Sequence, residues 1–113
     1  MNISLSLREI SDIHNGWKNG KIDTSTPRPV SIALRISKNL TSLHAAYIEA
    51  MHLRDEYEKE HGTPEVLSDD YELEHYLVTT TLDISLDPVA LSEAGESITL
   101  DEMSVMYFML ASE

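Results

Sequence analysis

Ile3, Leu5 and Leu7 alternate with Ser4 and Ser6, the period of two that marks a short strand. The pattern then changes. Ser6 followed by Glu9 makes a capping box, and Leu7, Ile10 and Ile13, with Trp17 next in line, fall at helical spacing. A short helix is expected over residues 7–15, ended by the turn dipeptides Asn15-Gly16 and Asn19-Gly20. Thr24, Ser25, Thr26, Pro27 and Pro29 predict a loop over residues 21–29, with Pro29 suited to a first helical turn. From Val30 to His61 there is no Gly or Pro, which allows about nine turns of uninterrupted helix. Ile36, Leu40, Leu43, Tyr47 and Met51 give it one apolar stripe, with Val30 and Ala33 extending the stripe backwards. Past Met51 the stripe thins to Leu53 and Tyr57 and the last turns are densely charged. The helix is therefore expected to pack along its first half and project into solvent along its second. Gly62 is its expected C-cap, with Pro64 just beyond.

A second helix is expected over residues 66–78, capped by Ser68, with Leu73, Tyr76 and Leu77 on one face. Joined through Gly62, Thr63 and Pro64, the two helices would form an antiparallel hairpin. The stretch from Val78 to Leu86 is rich in β-branched residues, and Leu82, Ile84 and Leu86 alternate with Asp83 and Ser85. It is the natural antiparallel partner for the first strand, because a lone strand leaves its backbone groups unpaired. A loop around Gly95 follows. Thr99 with Glu102 is a second capping box, opening a helix that carries Leu100, Met103, Met106, Tyr107 and Leu110 to the C-terminus. The expected fold class is α+β and mostly helical: one long central helix packed with two or three shorter helices and a small two-stranded antiparallel ribbon.

The chain has 113 residues, which fits a single domain over 1–113 with one modest core. It has no cysteine, so thiol catalysis, thiolate metal sites and disulfides are excluded. Neither a signal-peptide pattern nor a membrane-length apolar run is visible, so a cytoplasmic protein that does not engage membranes is expected. The formal net charge of −12 disfavours direct binding to nucleic acid. That charge is unevenly placed. Residues 1–48 carry six basic and three acidic side chains, whereas residues 49–113 carry two basic and 17 acidic ones. The densest stretch runs from Asp55 to Glu74. Its residues Asp55, Glu56, Glu58, Glu60, Asp69, Asp70, Glu72 and Glu74 are the candidate protein-binding face, with Glu65 between them. A basic protein surface is the partner that this face would fit; the bland alternative is a solubilising face.

Chemical motifs are sparse. Glu49/His52 and Glu72/His75 are two Glu-x-x-His pairs, each able to share one helical face, but the further bridging carboxylates of a di-metal bundle have no obvious source. His14, His44 and His61 have no nucleophile at motif spacing, and the four glycines stand singly at turns. No catalytic, cofactor-binding or metal-binding residue is assigned, and a non-enzymatic protein is expected. Met51, Met103, Met106 and Met109 are read as core fillers rather than a binding groove. Trp17 is read as cover for the end of the core rather than an exposed anchor.

The order of elements resembles that of a group of small tailed-bacteriophage (prophage) proteins with no established activity. The resemblance is carried by NISLSLREISDI, by the Pro-initiated PRPVSIALRISKNLTSLHAAYIEAMHLRDEYEKEHG, by TLDISL and by SITLDEMSVMYFML. It spans most of the chain and rests on soft patterns of apolar and charged residues. It implies a phage-encoded protein working in the host bacterial cytoplasm. Together with the acidic half it suggests an inhibitor of host nucleic-acid-handling or defence machinery. The alternative is a homo-oligomeric assembly, scaffold or tail-assembly chaperone protein, with the long helix or the 100–110 helix as its seam.

Overall fold

The computed structural model of the chain describes residues 2–22, 27–61, 67–94 and 98–111. Strand β1 (Asn2–Ser6) leads directly into helix α1 (Leu7–Gly16). The Ser6–Glu9 capping box forms as the spacing predicts: Glu9 N–H donates to Ser6 Oγ at 3.0 Å, and Ser6 N–H donates to Glu9 Oε1 at 3.1 Å. Leu7, Ile10, Ile13 and His14 form the buried side of α1.

The helix does not stop at Asn15-Gly16. Gly16 keeps helical angles, and the chain continues through a π-helical turn (Trp17–Lys21) to Gly20, whose φ of +83° breaks it. The two glycines therefore do different jobs. Gly20 supplies a backbone conformation that L side chains resist. Gly16 supplies room: a Cβ there would lie 2.8 Å from Val105 Cγ2.

Helix α2 (Val30–His61) has the 32 residues expected of it. At about 1.5 Å per residue it spans about 48 Å, which matches the longest dimension of a 47 × 25 × 20 Å molecule. Its buried side runs through Ile32, Ile36, Leu40, Leu43 and Ala50, with Tyr47 packed against that core. The backward extension lies on a different line from the one expected. Ile32 is buried, whereas Val30 is 74% exposed and Ala33 is also exposed. From Ile36, the core side at i−4 is position 32, so the stripe continues there.

Helix α3 (Leu67–Thr79) buries Leu73 and Leu77 and packs chiefly on α1 among the described residues. It meets α2 where Tyr76 stacks on Tyr57, ring centroids 4.4 Å apart. The joint expected at Gly62, Thr63 and Pro64 lies outside the described residues, as does Glu65. Val78 and Thr79, expected in the strand, end α3 instead, and β2 spans Thr81–Ser85. It pairs antiparallel with β1, from Asn2 opposite Ser85 to Ser6 opposite Thr81.

The segment after β2 is more ordered than a loop. A short strand β3 (Val89–Ala90) and a single helical turn α4 (Leu91–Ala94) precede the undescribed residues around Gly95. Helix α5 (Leu100–Met106) carries the expected Thr99–Glu102 capping box. It ends sooner than the spacing predicts, passing through a 3-10 turn (Tyr107–Met109) into β4 (Leu110–Ala111), which pairs parallel with β3. That turn drives Phe108 and Met109 into the core and leaves Tyr107 half exposed. Met106 and Met109 fill the core, and Met103 packs at its edge.

The core holds a few polar groups, each with a structural task. Asn39, fully buried on α2, grips the Asp87 backbone with two 2.8 Å hydrogen bonds, donating from Nδ2 to Asp87 O and accepting Asp87 N–H at Oδ1. Glu102, 2% exposed, both caps α5 and forms an ion pair with the equally hidden guanidinium of Arg28. The charge split of the chain is bridged in part within the molecule. Arg8 pairs with Glu74, Arg28 with Glu102, Arg35 with Glu93 and Lys38 with Asp87. Each of these pairs joins the basic first 48 residues to the acidic remainder.

Candidate functional site

The acidic residues singled out from the sequence fall on the second half of α2 and on α3. Their elements follow from composition: no helix breaker interrupts 30–61, and Leu73 and Leu77 anchor α3 to the core. Asp55, Glu56, Glu60, Glu72 and Glu74 are exposed, and Glu58 is half-buried. Asp69 and Asp70 lie in the first turn of α3. The structure divides the described side chains of the face into three groups. Glu74 is committed to the fold: both its oxygens accept from Arg8, one at 2.9 Å from Nε. The Arg8 hydrogen bond holds the Glu74 carboxyl below its ordinary pKa, and the same bond raises that of Arg8. Glu58 and Glu56 make local i,i+4 contacts with Arg54 at 3.4 Å and His52 at 3.2 Å. Asp55, Glu60 and Glu72 have no ion pair among the described residues.

The Glu-x-x-His pairs do not converge. Glu49, His52, Glu72 and His75 are all exposed, and His52 turns to Glu56. Among the described residues no three His, Asp or Glu side chains gather as a metal-holding group.

Packing creates another cluster that spacing alone did not join. His14 on α1 is 5% exposed and lies flat on Tyr47 of α2, ring centroids 3.7 Å apart and planes 3° from parallel. Its Nε2 is 3.0 Å from His44 Nδ1, while its Nδ1 is buried with no hydrogen-bond partner. Trp17 meets His14 edge-on at 5.5 Å, partly buried against the core, and the Lys18 ammonium sits 4.2 Å above the indole. Burial lowers the His14 pKa, and the neighbouring His44 and Lys18 push it the same way. The cluster thus favours a neutral imidazole at the α1–α2 contact. One sequence signal could have found it: His14 follows Ile10 at i+4, on the side that α1 buries.

A groove of about 280 Å³ separates α2 from β2, lined by Ser42, Ala45, Ala46 and Glu49 on one side and Leu82, Asp83, Ile84 and Ser85 on the other. The small α2 side chains leave it open. No sequence pattern announced it, because it depends on how the strand lies against the helix.

The chain matches no family model, no curated protein and no solved structure in comparisons with each. No helix among the described residues is long and apolar enough to cross a membrane.

Proposed function

We propose that the protein is a non-enzymatic binding module that docks on a basic protein surface through the acidic outer part of α2 and α3. The observation that carries this reading is the placement of Asp55, Glu60 and Glu72. They are exposed on the outer part of a long helix and its neighbour, outside the ion pairs that join the two halves of the chain. Carboxylates held on rigid helices keep their spacing, and a like-charged field steers a basic partner and rejects acidic ones. In the phage setting that the sequence resembles, the partner would be host nucleic-acid-handling or defence machinery, whose basic grooves normally receive phosphate. Affinity capture from a bacterial lysate tests the reading. The wild type is expected to retain a basic protein that the variant Glu56→Lys, Glu60→Lys, Glu72→Lys loses, while a folded variant that captures the same protein undiminished would refute it.

A second reading, a homo-oligomeric scaffold or assembly chaperone, is favoured by one observation. Val30, Leu34 and Ile48, 74%, 65% and 58% exposed, lie along the side of α2 opposite its core contacts. Light scattering at micromolar concentration decides it: a dimer or larger species supports the scaffold, and a monomer removes it.

A further inference from the structure

The groove between α2 and β2 has a wall that the acidic end of α2 lacks. Four consecutive residues, Leu82 to Ser85, line it. Successive side chains of a strand point to opposite faces, so four in a row mean that the strand's edge, rather than one of its faces, borders the space. The other edge of β2 is paired with β1, and among the described residues no strand pairs with this one. A sheet edge beside an open groove is the arrangement that accepts an added strand. Small α2 residues face the strand and leave room beside its edge.

Charge selects the occupant. The lining contains two carboxylates, Glu49 and Asp83, and no basic side chain. Glu56 and Glu60 follow Glu49 at seven and eleven residues along α2, on the same side of the helix, so the acidic line continues outward from the groove. Asp83 is fixed by a 2.6 Å hydrogen bond from Ser4 Oγ. A second copy of this chain would bring its own Glu49 and Asp83 against these. A short extended segment carrying lysine or arginine would meet opposite charge along its length. We infer that this groove is a strand-addition site for an extended basic segment of a partner protein, which pairs with the free edge of β2 and places its cationic side chains between Glu49 and Asp83. The groove adjoins the outer acidic residues proposed above, but its own carboxylates, Glu49 and Asp83, are not among them, so the two surfaces can fail separately.

The test titrates isotope-labelled protein with a seven-residue peptide alternating lysine and valine, beside its glutamate–valine counterpart, and follows backbone amide resonances. The lysine peptide is expected to shift Leu82 to Ser85 and Ala45 to Glu49, with affinity falling at least about tenfold in Glu49→Lys, Asp83→Lys. The glutamate peptide is expected to shift neither. Ala45 is exposed, so Ala45→Trp should fill the groove with helix content retained, and should weaken binding comparably. Absence of shifts at millimolar lysine peptide overturns the inference. So do shifts confined to Glu56, Glu60 and Glu72, or peptide-independent association through β2. If lysate capture is lost in the Glu56, Glu60, Glu72 reversal while the peptide fails at the groove, the groove alone is refuted.

Discussion

His14 shows how one side chain couples burial to pH. Its folded pKa is depressed, so the unfolded chain binds more protons around neutral pH, and stability rises with pH there. The contribution is fully present above the ordinary histidine value of about 6.5 and is lost as pH falls through the lower folded value. Denaturant midpoints are expected to drop from pH 7.5 to pH 5, with a shallower drop in His14→Gln. Because the chain has one tryptophan, fluorescence of Trp17 reports the same transition locally. Glu102 makes the opposite case, a buried charge matched by a buried partner. Glu102→Ala breaks the buried ion pair with Arg28 and removes a cap, and should cost about 3–5 kcal/mol in chemical denaturation. Arg28→Met with Glu102→Gln keeps a capping side chain, removes both buried charges together and should recover much of that loss.

Contacts between elements depend on a few close fits. Gly16→Ala adds a good helix former, worth about 1 kcal/mol in isolation, yet forces its methyl into the stiff Val105 side chain. Overpacking of this kind costs about 1–3 kcal/mol, so a net loss is expected by thermal melting, relieved by adding Val105→Ala. Asn39→Leu removes both hydrogen bonds to the part-buried Asp87 backbone and should destabilise by about 1–3 kcal/mol. These fits also mark where sequence reading stops. The capping boxes, the span of α2 and the β1–β2 pairing were legible because each rests on local chemistry or strict periodicity. Gly16 was read as a turn because an Asn-Gly pair is equally consistent with one; only Val105, 89 positions away, shows why it is helical. Tyr107 and Leu110 continue a helical spacing, but Phe108 and Met109 gain burial by leaving it, a choice made by tertiary packing. The candidate acidic face was visible as composition. What remained hidden was which of them the fold already uses: Glu74 for Arg8, but neither Asp55 nor Glu60 for any described ion pair.

For the molecule as a whole, the net charge of −12 is a residue left after the two halves have paired. The outer carboxylates should then be removable without harm to the fold. Asp55→Asn, Glu60→Gln and Glu72→Gln together are expected to leave the denaturation midpoint unchanged within about 0.5 kcal/mol, or to raise it slightly at low salt as repulsion falls. A large loss would show that they support the fold.

The pairing of β1 with β2 also sets an order in time. Leu7 N–H donates to Thr80 O at 3.0 Å, and Ser4 meets Asp83 across 79 positions of sequence. Helices close in about a microsecond, whereas contacts this distant wait on loop closure. During synthesis at about 5–20 residues per second, the first strand spends several seconds without its partner. The apolar side of α2 is made long before β2 arrives to lie against it. A newly made chain therefore passes through a stage in which its longest helix has α1 but not β2 against it, while its first strand waits for a partner made much later.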